Sequence, residues 1–380
     1  MPEMKIPFHV PFYDEEDARA VAGVVQAGRL VGDGPATHRA TELLRSQLKV
    51  KHALLTTSCT HALELSMMTL DLQPEDEVIV PSFTFVSSTN AILRQRARLV
   101  FADISPDTLT LEAPEVEKRR TARTRAIMPV VYAGVSPDLD AIMSLASARG
   151  IAVVEDAAQG VGAEYRGRPA GTTGHMGCFS FHETKNFSTG EGGAFATNDD
   201  RLMQKAEIIR EKGTNRKQFL LGLVDKYTWV DTGSSFLPPD TMAALLMSQL
   251  KKQPVIRRRR KEIHDRYMEA FSGFAERGLL SLPKIPAYVT SNYHIFFVLM
   301  ESETRRNQAL SFFREKGIGT TFHYLPLHLS PVGLRIGYSE GDFPVTESVS
   351  GRLLRLPMYP SLTEDAVAHV VSTMKDFLAQ

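Results

Sequence analysis

Ile151-Ala152-Val153-Val154-Glu155-Asp156-Ala157-Ala158-Gln159-Gly160 opens a stretch that continues with Cys178-Phe179-Ser180-Phe181-His182-Glu183-Thr184-Lys185 and ends on Gly190-Glu191-Gly192-Gly193. The run from Ile151 to Val154 is short, apolar and free of polar alternation, the pattern of a parallel strand buried on both faces. Two acids finish it. Successive strand side chains point to opposite faces, so only one of Glu155 and Asp156 can enter a site at the strand's carboxyl end, where open α/β sheets bind ligands. Asp156 is the choice, because Ala157, Ala158 and Gly160 beyond it leave room for a flat ring. Taken alone, Asp156 would serve equally well as a turn cap.

Lys185 follows a second apolar strand, Cys178 to Phe181, and sits among small and polar residues rather than in a helical charge pattern. Partial desolvation there would lower its pKa, the condition for condensing with an aldehyde. Most loop lysines are simply solvated, and what sets this one apart is its neighbourhood. A third element lies upstream. Thr57-Ser58-Cys59-Thr60-His61-Ala62 stands where a strand turns into an amphipathic helix, and a helix amino terminus offers free N–H groups to an anion. On this segment alone, Ser58 and Thr60 are as readily plain N-caps. An acid for a ring nitrogen, an amine for an aldehyde and a turn for a phosphate together match the three handles of pyridoxal 5'-phosphate.

Around these motifs apolar strands alternate with helical stretches: Ala53 to Thr57, Val78 to Pro81, Leu99 to Asp103, Ala126 to Val131, Ile151 to Asp156, Cys178 to Phe181 and Ala194 to Thr197. This rhythm predicts an α/β fold with a mostly parallel seven-stranded sheet covered by helices on both faces. After about Asp240 it changes. A long helix from Thr241 into Arg257-Arg258-Arg259-Arg260-Lys261, an irregular stretch from Leu282 to Thr290, a strand His294 to Met300, a helix Arg305 to Lys316, a strand Gly319 to Tyr324 and a last helix from Thr363 are expected. The division is therefore a large domain over 1–240 and a smaller α/β domain over 241–380.

The 380 residues suffice for both domains, and 44 basic against 44 acidic side chains leave no net charge. Such a balance provides no field to gather nucleic acid or an acidic membrane. The arginine run continues into Glu262 and Asp265 and is expected to be a solvated helix face. Two cysteines, Cys59 and Cys178, form no disulfide framework, and no apolar run of signal-peptide or membrane-spanning length occurs, so cytoplasmic residence is the expectation. His323 and His328 are separated by a proline-containing segment without a third ligand, which speaks against a metal.

Taken together, Glu155-Asp156-Ala157-Ala158-Gln159, Ser180-Phe181-His182 with Lys185-Asn186, and Glu191-Gly192-Gly193 resemble the DegT/DnrJ/EryC1/StrS sugar aminotransferases, pyridoxal-phosphate enzymes of the aspartate-aminotransferase fold (type I). The likeness runs nearly end to end through Pro81 to Ser87, Val131 to Gly134, Arg210 to Arg216 and Phe322 to His328. Glu211 to Arg216, Val224 to Trp229 and Gly233 to Ser235 are most similar to dTDP-4-oxo-6-deoxy-glucose 4-aminotransferases of the enterobacterial-common-antigen type.

The resemblance implies transamination from L-glutamate to a nucleotide-linked 4-keto sugar in a homodimer with active sites at the subunit interface. Lys185 would form the Schiff base and Asp156 hold the ring nitrogen. Cys59, Thr60 and Ser180 would bind the phosphate, Phe85 stack on the ring and Gln159 contact its hydroxyl. Ser235 stands where many relatives bring an asparagine from the partner subunit. Asp33, His182, Lys212, Arg216, Tyr324 and His328 would approach the sugar nucleotide. Relatives that act as sugar dehydratases replace the lysine with histidine, so Lys185 favours transamination. Three other classes remain: a nicotinamide oxidoreductase, disfavoured because Gly160-Val161-Gly162 does not continue as G-x-G-x-x-G; a cysteine desulfurase, disfavoured because neither cysteine is on a mobile loop; and a non-catalytic regulator that keeps the fold.

Overall fold

The computed structural model describes residues 5–380. All seven expected strands form one sheet: β1 His52–Thr56, β2 Glu77–Pro81, β3 Arg98–Ala102, β4 Thr124–Ile127, β5 Ala152–Asp156, β6 Met176–Ser180 and β7 Gly193–Thr197, in the order β1-β7-β6-β5-β4-β2-β3. Only β7 runs against its neighbours, pairing antiparallel with both β1 and β6. Every residue of β2, β6 and β7 is buried, which is why these strands carry continuous apolar runs instead of alternating ones.

One face of the sheet is covered by the Cys59–Thr69 helix, whose Leu63 and Met67 share a core with Phe195 and Cys178. The other face is covered by the Pro35–Leu48 and Asp240–Lys251 helices, which pack with Leu55 and Phe179. A separate core holds Ile263, Tyr267 and Phe271 with Phe296, Val298 and Leu354. The change of core therefore falls inside the Gln253–Glu276 helix, between Ile256 and Ile263, and the Asp240–Lys251 helix packs with the large sheet. We accordingly place the divide between the two units later than residue 240.

The expected long helix is two helices that meet at Lys252, because Pro254 in the first turn of the second has no N–H to continue the ladder. The expected strand from Gly319 to Tyr324 does not form beyond a single bridge between Thr321 and Arg355. Gly317 and Gly319 bond instead to Ile6. The smaller sheet is β8 Leu280–Ser281, β9 Phe296–Met300 and β10 Leu353–Leu356, in that order. A third small sheet pairs Val289–Thr290 with Glu164–Tyr165, tying the proline-rich stretch to the large unit. The arginine run is also only partly a solvated face. Arg260 is 1 % exposed and donates to the carbonyls of His294 and Met358 at 2.8 and 3.0 Å.

Candidate active site

β5 and β6 end side by side, with Asp156 paired in register with Cys178. The alternation expected of the two acids holds. Glu155 turns one way and accepts from the N–H groups of Gly171, Thr173 and Gly174, whereas Asp156 turns the other. Its Oδ2 accepts from Ser88 Oγ at 2.6 Å and its Oδ1 from the N–H of Ala158 at 3.1 Å. Burial raises the Asp156 pKa, and the bonds from Ser88 and Ala158 oppose that rise by favouring the anion.

Lys185 leaves the β6 end on a tight loop whose backbone N–H returns to the His182 carbonyl at 2.9 Å. Burial lowers its pKa, with the Asp156 carboxylate acting against that shift and Arg355 acting with it. A larger share of free amine at neutral pH follows, which is what a nucleophilic lysine requires.

Beside this pair the Cys59–Thr69 helix begins. Ser58 caps it by accepting from the N–H of His61, leaving the N–H groups of Cys59 and Thr60 in the first turn. Thr60 Oγ1 lies 2.7 Å from Ser87 Oγ, and Ser180 Oγ accepts from the N–H of His182. Gly193 packs under this turn so closely that a Cβ there would run into the backbone of Ser58 and Cys59. Burial pushes up the thiol pKa of both Cys59 and Cys178, so neither has the character of a desulfurase nucleophile.

Gln159 spans the far side: its Oε1 accepts from the N–H of Ala133 at 2.7 Å and its Nε2 donates to Tyr324 at 3.0 Å. Of the two phenylalanines in Phe83-Thr84-Phe85, Phe83 is core at 1 % exposure, whereas Phe85 is 57 % exposed and its ring centroid lies 6.4 Å from that of Tyr324. A carboxylate for a protonated ring nitrogen, an exposed aromatic face, hydroxyls with helix N–H groups, and an amine form a donor set that fits pyridoxal phosphate. Lys185, Asp156, Cys59, Thr60, Phe85, Gln159 and Ser180 are thereby gathered around the ends of β5 and β6.

The other expected residues are less gathered. Asp33 accepts both bonds of Arg210 NH2, at 2.9 and 2.8 Å, and lines a groove of about 1200 Å³ with Glu211 and Arg216. The adjoining Pro35–Leu48 helix offers no anion site, since Asp240 already takes its Ala36 and Thr37 N–H groups. Lys212 and Arg216 flank Glu211 at 4.0 and 3.6 Å. His182 is half-exposed beside Thr184 and Glu191. Ser235 is exposed and bridges to Glu211 in its own chain.

His328 does not belong with these. It is completely buried, with Nδ1 against Ser82 Oγ at 2.7 Å and Nε2 against Glu347 at 3.0 Å, so both ring nitrogens are engaged and neither reaches a substrate. Conversely, Ser87, Ser88 and Arg355 line the site without a local sequence pattern to mark them as site residues, and His323 stands out in the sequence only as a potential metal ligand. For Arg355 the available hint is its charge inside the apolar run Leu353-Leu354-Arg355-Leu356. Among the described residues, no group of three metal-ligating side chains is assembled, and no helix is long and apolar enough to cross a membrane.

The arrangement has relatives. The spore coat polysaccharide biosynthesis protein SpsC of Bacillus subtilis is 32% identical over 381 residues, covering 98% of this chain and 97% of that protein. The aminotransferase TlmJ from Streptoalloteichus hindustanus superposes with a TM-score of 0.90 at 32% identity, over 98% of this chain and 99% of the other. Spr1654 from Streptococcus pneumoniae, solved in a PLP-form, superposes with a TM-score of 0.91 at 27% identity, over 99% of each chain. The profile of the DegT/DnrJ/EryC1/StrS aminotransferase family matches residues 11–375. With that profile spanning nearly the whole chain and a donor set that fits the cofactor at the ends of two central strands, the protein belongs to the DegT/DnrJ/EryC1/StrS aminotransferase family and is a pyridoxal-phosphate-dependent aminotransferase.

Proposed function

We propose that the chain transfers an amino group from L-glutamate to C4 of a dTDP-4-keto-6-deoxy sugar. The observation that supports this most is that a partly desolvated Lys185 amine and the buried Asp156 carboxylate lie within electrostatic reach of each other at the carboxyl ends of β5 and β6. Pyridoxal phosphate, when bound, supplies an electron sink through its protonated ring nitrogen. Asp156 holds that proton, and Ser88 and Ala158 hold the anion that Asp156 must be. Lys185 would hold the cofactor through its aldehyde, and its amine, once free, would be the base that accepts the proton leaving the donor's α-carbon and the acid that delivers it to the cofactor's side of the bond. Cys59, Thr60 and Ser180 would bind the phosphate, Phe85 would cover the ring and Gln159 would hold its hydroxyl.

For the acceptor, Arg216 and Lys212 supply positive charge suited to a diphosphate, while Asp33, His182 and Tyr324 approach the sugar. His328 acts only by holding Ser82. Ser235 is exposed in its own chain, which is compatible with a contribution to a second subunit, and the working unit proposed is a cytoplasmic homodimer with shared sites. That SpsC is named for polysaccharide biosynthesis supports a sugar acceptor.

The test is to incubate the purified holoprotein with L-glutamate and dTDP-4-keto-6-deoxy-glucose and to assign the product by NMR. An amine at C4, formed with one 2-oxoglutarate per turnover, supports the proposal. Turnover confined to a 3-keto hexose or a 4-keto pentose would move the acceptor. No turnover with any keto sugar, together with no spectral response to glutamate, would favour a non-catalytic regulator.

A further inference from the structure

We propose that His294, acting through Asn186, positions the reactive amine of Lys185. Asn186 follows Lys185 in the chain, and its buried side chain bonds to the segment that leads into β9. Its Nδ2 donates to the Asn292 carbonyl at 3.0 Å. A carbonyl can only accept, so the amide has one orientation and its Oδ1 faces His294, whose Nδ1 lies 2.9 Å away. The proton of that buried imidazole therefore stands on Nδ1 and is donated to Asn186.

The far side of this contact is fixed from behind. The His294 carbonyl accepts from the buried guanidinium of Arg260, which also holds the Met358 carbonyl. One residue earlier, Tyr293 has φ +54°, a left-handed conformation that strains a side chain of this size. The kink lets two neighbours serve two loops. Asn292 Nδ2 donates to the carbonyls of Gln159 and Val161 at 2.8 and 2.9 Å, while His294 serves Asn186. The Asn292 amide is also seated against Gly134, where a Cβ would collide with it. Residues 292–294 thus grip the turn bearing Gln159 and the loop bearing Lys185 as one piece.

Other anchors of the Lys185 loop are of a different kind. His9 reaches the Glu183 carbonyl and Tyr13 the Ser188 hydroxyl, nearer to solvent, where water can replace them. The two Asn186 bonds are buried, and losing one leaves an unsatisfied polar group beside the lysine. Burial first, then the charges of Lys185, Arg260 and Arg355, keep the imidazole neutral, so it holds Asn186 as a plain donor. A lysine stem is flexible, and an amine that moves a proton at carbon loses about a hundredfold in rate when misplaced by roughly 1 Å.

This inference rests on the reading of Lys185 as the reactive amine, and a measurement without cofactor separates the two. In the full chain stripped of cofactor, competitive acetylation across pH reads the apparent pKa of the Lys185 amine. His294→Leu keeps much of the bulk but removes the donor, and Asn186→Ala removes the link. In both, the released amine gains solvent, and its apparent pKa should rise by about one unit. His294→Asn, whose amide places an N–H near the position of Nδ1, should restore the wild-type value to within about 0.3 unit. In the loaded enzyme kcat should fall about tenfold to a hundredfold for His294→Leu, with the KM for glutamate within about threefold. An unchanged Lys185 titration in both variants would overturn the proposal. So would an equal shift in His294→Asn and His294→Leu, because the donated hydrogen bond would then be irrelevant. Should the variants fail to fold, nitrogen NMR of the unmodified holoenzyme decides: His294 should keep its proton on Nδ1 from about pH 6 to 8, and a proton on Nε2 alone would reject the bond to Asn186. Full activity in Lys185→Ala would instead refute the reactive-amine reading, and this inference with it.

Discussion

Ser88 donates its hydroxyl hydrogen to Oδ2 of Asp156 across 2.6 Å, joining the helix after β2 to the end of β5 inside the buried site. This bond is one of the two that offset the upward pull of burial on the Asp156 pKa. In the proposed reaction Asp156 has to be an anion to keep a pyridine nitrogen protonated. The hydroxyl of Ser88 therefore acts on the reaction through a group it merely orients and charges.

Removing it with Ser88→Ala should raise the Asp156 pKa further. Activity that needs the anion exists above that pKa, so the acid limb of the kcat/KM profile should move to higher pH. At neutral pH the loss should be about ten- to a hundredfold, the worth of one charge-assisted bond. A profile that overlays wild type would separate Ser88 from the charge state of Asp156.

Gly193→Ala tests the phosphate turn. The added Cβ meets the backbone of Ser58 and Cys59, which cannot give way as a flexible side chain would. Pyridoxal phosphate should dissociate at least about tenfold faster, with stability lower by roughly 1–3 kcal/mol from overpacking. Cofactor retention through gel filtration reads the first effect and thermal melting the second. Full retention would show that the turn's position is not critical.

His323 is held near a pKa of about 2, chiefly by burial and then by Arg355, and His294 is driven well below its ordinary value by burial. Both are thus neutral in the folded state at any working pH, while in the unfolded chain they take up protons below about 6.5. The unfolded state then binds more protons, so stability should fall as pH drops, by about 1.4 kcal/mol per unit for each ring between pH 6.5 and roughly 5. The carboxyls of Asp156 and Glu155, raised by burial, act in the opposite sense, since the folded state gains protons on them before the unfolded chain does. Urea midpoints measured across this window should decline, and His323→Asn should flatten the slope. Midpoints independent of pH would contradict neutral burial of the two rings.

His328→Asn distinguishes support from substrate contact. With both imidazole nitrogens bonded to Ser82 and Glu347, its loss should lower the melting temperature and shift kcat, leaving the KM for the sugar nucleotide within about twofold, as expected when no ligand contact is removed. A selective rise in that KM would return His328 to the substrate.

The large sheet was readable because its strands are buried on both faces and separate cleanly into apolar runs, as in β2 and β6. Lys185 and Asp156 stand out as candidates because each lies at or just beyond the end of such a run. The smaller unit was less so. Gly319 to Tyr324 alternates like a strand, yet its neighbour Ile6 comes from the chain's beginning, a pairing that local pattern cannot reveal. Arg260 looks like a surface charge until tertiary packing buries it, and His328 looks like a ligand until Ser82 and Glu347 are seen to occupy it.

The central claim is that Lys185 carries the cofactor. Reduction of the pyridoxal-phosphate-loaded protein with borohydride, followed by digestion and mass spectrometry, tests it directly. The account predicts one phosphopyridoxyl group per chain, on Lys185, and none in a Lys185→Ala variant that still folds. A label on another lysine, or an unlabelled wild-type chain, would contradict it.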